Sequence, residues 1–400
     1  MKKIPAVFIA AILLYPSQAQ PLKKLKQKAE AAIGVETNNT QNPAANEAAT
    51  VKKDTVPAGT TSESGSAGSV NPQLKAYQNY DFIAGEKIIF EDDFSADEQG
   101  EFAAHWNLLS GQGTVNKVAG KTALLLTSSS ANITPAIKQP SYLRDSFTVE
   151  FDHYAADGVY GFQLFFYNNE KEAVAEKPEL GRIDFCSANS FVAINTKAGD
   201  AATQTNNLPE EISGDNYRNK WHHIAISLIN KRLKIYVDQT RVLSLPSFNV
   251  AARSLMLQTG GSSTAPGVIT NVRIANGGGM KTNDKKFTDA KIVTHGITFD
   301  IDKATIKPES MGVLNMIVSI MNNNPEVKFE IDGHTDNAGA AAHNLQLSQQ
   351  RADAVKSQLI AMGIDAARLT GKGFGSSVPA ADNSTPEGRA NNRRVEFVKK

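Results

Sequence analysis

The chain has 400 residues, long for one ordinary domain and natural for two folded units with tails. Its 42 basic and 41 acidic residues leave a net charge of +1. No global field therefore draws it to nucleic acid, and a charged ligand must be met by local placement. The single cysteine, Cys186, excludes an internal disulfide in an exported chain, and a lipid-anchor cysteine is missing from the N-terminal region.

Lys2 and Lys3 precede an apolar run from Val7 to Leu14, and Ser17-Gln18-Ala19 supplies a small-x-small cleavage pattern. Residues 1–19 therefore read as a secretory signal. The apolar run is shorter than the about 20 residues a spanning helix needs. Residues 20–79 read as a basic stretch followed by a flexible linker. Leu22, Leu25, Ala29 and Ile33 can share one helical face, either against a membrane surface or partner or in a frayed, solvated helix. Residues 35–75 are rich in Asn, Thr, Ala, Ser, Gly and Pro, and cannot bury enough surface to offset ordering entropy.

Residues 80–276 form the first folded unit. Strand-like runs cover 147–154, 162–167, 221–228 and 233–237, with Asn230-Lys231 as the turn between the last two. Leu233, Ile235 and Val237 alternate with Lys234, Tyr236 and Asp238, giving one apolar and one polar face. No convincing long helix interrupts the region, so the expectation is an all-β sandwich. Cys186, in the run Ile183-Asp184-Phe185-Cys186, is expected to be a buried small residue. His222 and His223 are strand neighbours on opposite faces and cannot chelate one ion together. Glu91-Asp92-Asp93 reads as a solvated turn.

Residues 277–290 read as a second linker, after which the pattern becomes mixed α/β over 291–400. A strand is predicted over 292–299 and a helix over 308–321 with Pro308 in its first turn. A second strand carries Val327, Phe329 and Ile331. Ser348 is predicted to cap a helix that Gly363 ends. Further strands cover 369–374 and 395–398. Gly371-Lys372-Gly373-Phe374-Gly375 lacks the spacing of a dinucleotide loop.

Three segments of this half carry a resemblance. They are Gly333-His334-Thr335-Asp336-Asn337-Ala338-Gly339, then Asn344-Leu345-Gln346-Leu347-Ser348-Gln349-Gln350-Arg351-Ala352, then Gly388-Arg389-Ala390-Asn391-Asn392-Arg393-Arg394-Val395-Glu396. In order and spacing they resemble the OmpA-like C-terminal domain, a family that includes peptidoglycan-associated lipoproteins and flagellar-motor stator proteins. The resemblance implies a ligand, the diamino acid of the peptidoglycan stem, usually diaminopimelate. By motif Asp336 and Arg351 hold it, with Thr335 and Asn344 beside them and Asp300 on the same cleft. The chemistry agrees: the ligand's side-chain end is a zwitterion and needs one anion and one cation a few ångströms apart. If Ser348 caps the helix, Arg351 lies in its first turn, where free N–H groups and the dipole also favour a carboxylate. Arg393 and Arg394 either touch the wall or brace the last strand, and His334 is expected to be structural.

In the first unit, Asn219-Lys220-Trp221-His222-His223-Ile224-Ala225-Ile226 and Leu233-Lys234-Ile235-Tyr236-Val237-Asp238 resemble laminin-G-like, concanavalin-type sandwiches. That family implies sugar or protein binding, or glycan cleavage in some branches. A retaining glycosidase of this fold needs a Glu-x-Asp-x-Glu strand, so that two carboxylates flank the scissile bond. Glu150-Phe151-Asp152 begins it, but Tyr154 and Ala155 occupy the last carboxylate's place. The expectation is a non-enzymatic, exported, periplasmic protein that binds peptidoglycan and anchors a sandwich recognition module, with no metal or cofactor and a possible outer-membrane association. Two alternatives stay open: an outer-membrane β-barrel in place of the sandwich, and a glycan hydrolase on it. Barrel strands would bring aromatic girdles, whereas aromatics are only 7% of the chain.

Overall fold

Alternation along the strands of the first domain sets its architecture. A computed structural model describes residues 74, 77, 79–159, 161–186, 191–196, 204–259, 261–278 and 287–400. The expected signal, the basic stretch, nearly all of the first linker and residues 279–286 of the second lie outside the described residues. In chain order the first domain contributes β1 (Lys87–Asp92), β2 (Trp106–Ser110), β3 (Gly113–Val118), β4 (Lys121–Leu126), β5 (Ala131–Pro135), β6 (Phe147–Ala155) and β7 (Gly161–Tyr167). The short helix α1 (Glu170–Val174) follows, then β8 (Gly181–Cys186), β9 (Phe191–Asn195) and β10 (Gln204–Asn207). It ends with β11 (Trp221–Ile229), β12 (Arg232–Val237), β13 (Thr240–Leu245), β14 (Ser254–Thr259) and β15 (Gly267–Asn276).

Two antiparallel sheets result. One runs β13-β12-β11-β6-β15-β4-β3, with β1 also paired to β15; the other runs β10-β9-β8-β7-β14-β5-β2. Phe147, Phe151, Ile224, Ile226 and Ile235 of the first sheet meet Phe162, Phe166, Ile183 and Leu257 of the second in one buried core. The apolar faces point inward, at each other, and both sheets keep open edges. This is a sandwich and not a closed barrel, so the barrel alternative is set aside on geometry. Asn230 and Lys231 both take positive φ, 50° and 65°, as the tight turn between β11 and β12 requires. Cys186 departs from expectation. Ile183 and Phe185 point into the core, while Cys186, on the other face of β8, is half-buried.

The second domain contributes β16 (Lys291–Thr294), α2 (Met311–Asn323), β17 (Phe329–His334), α3 (Ala341–Ala361), β18 (Leu369–Gly375), α4 (Pro386–Asn392) and β19 (Val395–Lys399). Its sheet order is β16-β19-β17-β18, with β17 and β18 parallel. Val313, Leu314 and Ile317 of α2 and Ala352, Val355 and Leu359 of α3 pack on Phe329, Ile331 and Phe397. Gly333 and Gly373 let α3 lie against the sheet: a Cβ would come within 2.3 Å of Ser348 O and 2.4 Å of Gln349 N. The glycine run at 371–375 thus serves helix packing. The strand expected over 292–299 stops at Thr294, where the Thr294 hydroxyl accepts from Gly296 N, leaving only a Phe299–Ile306 bridge further on.

Helix α3 begins at Ala341, seven residues before Ser348. Ser348 is fully buried and mid-helix; its hydroxyl donates to Leu345 O and accepts from Gly375 N, so it joins α3 to β18 and caps nothing. The C-terminal end is as expected, with Gly363 N bonded to Ile360 O and Ile364 N to Leu359 O in a Schellman closure. Phe287, placed in the second linker by sequence, packs edge-on against Phe329 and belongs to the second core.

The segment 80–84, assigned to the sandwich by sequence, instead lies between the domains. Tyr80, Phe82 and Ala84 pack on Ala225 and Tyr236 of the first sheet's outer face. Tyr80 O accepts from Asn315 Nδ2 of α2, and Gly85 N donates to the Thr148 hydroxyl. Ile88, Ala275 and Ala390 form a second apolar junction. Asn391 Oδ1 accepts from Ile88 N at 3.1 Å while its Nδ2 donates to Ile88 O at 2.8 Å, so one side chain extends the β1 edge. This explains why every residue of β6 is buried: its outer face is covered too. Phe82→Ala should destabilise the full chain by about 3–5 kcal/mol, the usual loss for a buried phenylalanine. Calorimetry checks this, and an unchanged melting profile would remove the segment from the junction.

Candidate functional site

The cleft at the domain junction is built from the C-terminal end of β17. Asp336 follows that strand and is buried. Its Oδ1 accepts from Ala338 N at 3.0 Å, which closes the loop on itself. Its Oδ2 pairs with Arg393 Nη1 at 2.5 Å. The other arm of Arg393 pairs with Glu91 of β1, and Glu91 accepts from Arg273 Nε and Nη2 at 3.0 and 2.9 Å. Carboxylates and guanidiniums thus alternate across the junction. Burial alone would raise the Glu91 carboxyl, but Arg273 and Arg393 hold it below the ordinary glutamate range. Burial works against the Arg393 charge, yet Glu91 and Asp336 hold it above the ordinary arginine range.

Arg351 lies eleven positions into α3, so the free N–H groups and dipole of a first turn are not at its side. That part of the sequence expectation is corrected. The structure gives Arg351 other support. Its Nε donates to Lys303 O at 3.0 Å, Nη2 reaches Asp300 O at 3.5 Å, and its guanidinium carbon sits 4.9 Å over the Phe299 ring. Among the described residues no carboxylate lies within ion-pair distance of it, the nearest acidic influences being Asp302 and Asp336. Burial accordingly lowers its pKa from the ordinary arginine value. Arg351, Asp336 and Asp300 line one cleft.

The remaining expected site residues serve the loop. Asn344 sits inside α3 rather than before it, and is buried. Its Nδ2 donates to Asp336 O and Ala338 O at 3.2 and 2.8 Å, so its amide braces the loop that presents Asp336. The buried Thr335 hydroxyl donates to Asp336 O at 2.8 Å, and Thr335 N donates to Gly375 O. Arg394 is buried and pairs with Glu396, next to the last strand. His334 is buried and stacked on Phe374 at 5.1 Å.

The first domain faces the same cleft. Asp152 accepts from Lys121 Nζ at 2.8 Å, Asn271 Nδ2 at 2.6 Å and His223 Nδ1 at 3.0 Å. His222 points the other way, bonded to Asp238 Oδ2 at 2.7 Å and Tyr217 O at 3.0 Å. The two imidazoles lie on opposite faces, as the strand period requires. Glu91-Asp92-Asp93 is not a solvated turn. Glu91 and Asp92 belong to β1, and buried Asp92 accepts from Trp106 Nε1 and Phe94 N. Burial pushes the Asp92 carboxyl up to about 6. The roles of Glu91 and Arg273 escaped sequence reasoning because each lies in the sandwich, far along the chain from Asp336.

Two sheets followed by an α/β domain, with opposite charges opening on one junctional cleft, define a two-domain architecture. The family model that matches is the OmpA family, over residues 298–393, so the C-terminal domain is an OmpA family domain. Over 104 residues the chain is 43% identical to the probable lipoprotein YiaD of Escherichia coli, covering 26% of this chain and 48% of that protein. Over 107 residues it is 42% identical to the peptidoglycan-binding protein ArfA of Mycobacterium tuberculosis, covering 26% and 33%. Among solved structures, the carbohydrate binding module CBM66 from Bacillus subtilis is 18% identical with a TM-score of 0.31, covering 43% of this chain and 95% of that one. The chain spans about half of the first of these two curated relatives and a third of the second.

His223 supplies a pH test. Burial alone would lower its pKa, but the carboxylates of Asp152 and Glu150 raise it to about 10. The folded value lies above the unfolded value of about 6.5. The protonated ring therefore stabilises the fold fully below about pH 6.5, and that contribution is lost as pH rises toward 10. Denaturant midpoints at pH 6.5 and 9.5 should fall in the native protein and fall less in His223→Gln. Equal slopes in both would remove His223 from the charge balance.

Proposed function

We propose that the C-terminal domain holds peptidoglycan non-covalently by the zwitterionic side-chain end of a diaminopimelate stem peptide. The observation that carries this reading is Arg351: a partly buried cation, fixed by backbone carbonyls and an aromatic face, with no carboxylate partner among the described residues. A ligand carboxylate completes it, accepting the guanidinium's remaining N–H groups. The ligand ammonium goes to Asp336. Arg393, which now neutralises that carboxylate, keeps Glu91 as its counter-ion when it yields the position. Asp300 lines the approach, while Thr335 and Asn344 act through the loop they brace. The match of this domain to the OmpA family, and its likeness to a protein named as peptidoglycan-binding, support the reading.

On this reading the chain is exported, sits in the periplasm against the wall, and fixes its sandwich domain in the cell envelope. The proposal is for binding without cleavage. Glu150 and Asp152 point to the cleft, but Asp152 is committed to three donors and Tyr154 stands where the further carboxylate would be.

Charged hydrogen bonds contribute about 1.5–3 kcal/mol each, and about 1.4 kcal/mol is tenfold in affinity. In calorimetry with a diaminopimelate tripeptide, Arg351→Ala or Asp336→Asn in the full chain should weaken binding at least about tenfold. Arg351→Lys should stay impaired, because an ammonium has no planar fork. Near-native affinity in either folded variant removes that residue from the site. Incubated with purified peptidoglycan, the protein should co-sediment and release no muropeptides. Release that disappears in Glu150→Gln overturns the non-enzymatic reading.

A further inference from the structure

The cleft has a second wall, and that wall belongs to the sandwich. Its volume is about 1030 Å³, and Lys121, Glu150, Asp152, His223 and Asn271 of the first domain line it together with Asp336 and Arg351 of the second. Pockets for drug-sized molecules run to about 300–1,000 Å³. A single amino-acid zwitterion fills a small part of such a space, so the proposed ligand end leaves most of the cleft for whatever is attached to it.

The sandwich wall is organised around Asp152, with Lys121, Asn271 and His223 all donating to it. A bulge makes this possible. Asn271 takes φ +52° where the register of β15 against β6 shifts between Thr270 and Arg273, and its amide is turned onto Asp152. Lys121 is pinned from the other side, with Nζ 4.9 Å over the Trp221 ring. Glu150 is 6% exposed, and its Oε1 is a buried acceptor without a hydrogen-bond partner. Its Oε2 lies 3.6 Å from His223 Nε2. A buried, unpaired carboxylate oxygen in a native fold costs free energy unless something else meets it.

Around Asp152 the charges balance: the carboxylates of Asp152 and Glu150 against the Lys121 ammonium and the His223 imidazolium, while Glu91 and Arg273 elsewhere on this wall pair with each other and Asp92 and Asp93 lie further along it. A balanced set has no net attraction for an ion. It favours an uncharged ligand that both donates and accepts hydrogen bonds, because Glu150 Oε1 offers an acceptor while Lys121 and Asn271 have N–H groups to spare. The part of peptidoglycan next to the stem peptide has that chemistry, being a disaccharide rich in hydroxyls and acetamido groups. We propose that Lys121, Glu150 and Asn271 bind the N-acetylated disaccharide, so that the sugar and peptide of one ligand are held by different domains. This rests on the peptide-end reading given above, and it places the sandwich's ligand in the junctional cleft rather than in a separate site.

The test uses the full chain and two probes, a diaminopimelate tripeptide and the same tripeptide carried on its N-acetylated disaccharide. Calorimetry should show the native protein binding the sugar-bearing probe at least about tenfold more tightly than the tripeptide. Lys121→Ala and Asn271→Gly, the latter tolerating the positive φ, should each reduce that ratio at least about threefold and leave tripeptide affinity unchanged. Unchanged melting of the variants separates lost contact from lost fold. Equal affinity for the two probes in the native protein overturns the proposal, as does a ratio that survives both substitutions. Binding of neither probe overturns the function proposed above, and this inference with it.

Discussion

The architecture depends on one guanidinium. Arg393 lies at the end of α4 and faces two carboxylates from different domains, Asp336 and Glu91. Neither acid would be stable at its degree of burial without a cation, and Arg273 completes the set from β15. The Arg393 side chain is 40% exposed, so solvent screens part of its charge, while the two carboxylates it meets are the more buried partners. The charge of the site and the docking of the sandwich are therefore one problem with one solution. Apolar contacts at the same junction, Ile88 with Ala390 and Phe82 with Tyr236, hold the elements that carry these charges in place.

Much of this was legible in the sequence wherever the periodicity was local. The strands from Phe147, Gly161, Trp221 and Arg232 follow two-residue alternation, and the Asn230-Lys231 turn follows from the tolerance of Asn for positive φ. That Asp336 and Arg351 would share a cleft was open to sequence reasoning because they lie close along the chain, inside recognisable motifs. The start of α3 was not legible. Ser348 has the chemistry of a cap, and only the folded sheet shows that its hydroxyl serves Gly375 N. Asn344 was misplaced for the same reason: a polar side chain near a binding loop reads as a ligand group until its partners, Asp336 O and Ala338 O, are seen.

The domain junction was the part least open to sequence reasoning. Glu91 sits in an acidic triplet that looks solvated, and its partner Arg393 is 302 positions away. The burial of both faces of β6 was equally hidden, since Thr148, Glu150 and Asp152 alternate as an exposed face should. What covers them is a segment of chain, residues 80–84, and a second domain. Neither leaves a periodic signature in β6 itself.

That covering segment also sets the mechanical load path. The chain enters the described fold at Leu74, buried in the second core, and passes Tyr77 to reach Tyr80, Phe82 and Ala84, wedged between Tyr236 on one side and α2 on the other. A pull on anything attached ahead of residue 74, with the second domain held fast, reaches Leu74 in the second core first and that wedge next. The strand pairs and helix packing of both domains lie behind it. Traction would draw Leu74 from the edge of the second core and peel the wedge from the junction before the strand pairs parted, and it would act beside the cleft in which the two domains meet.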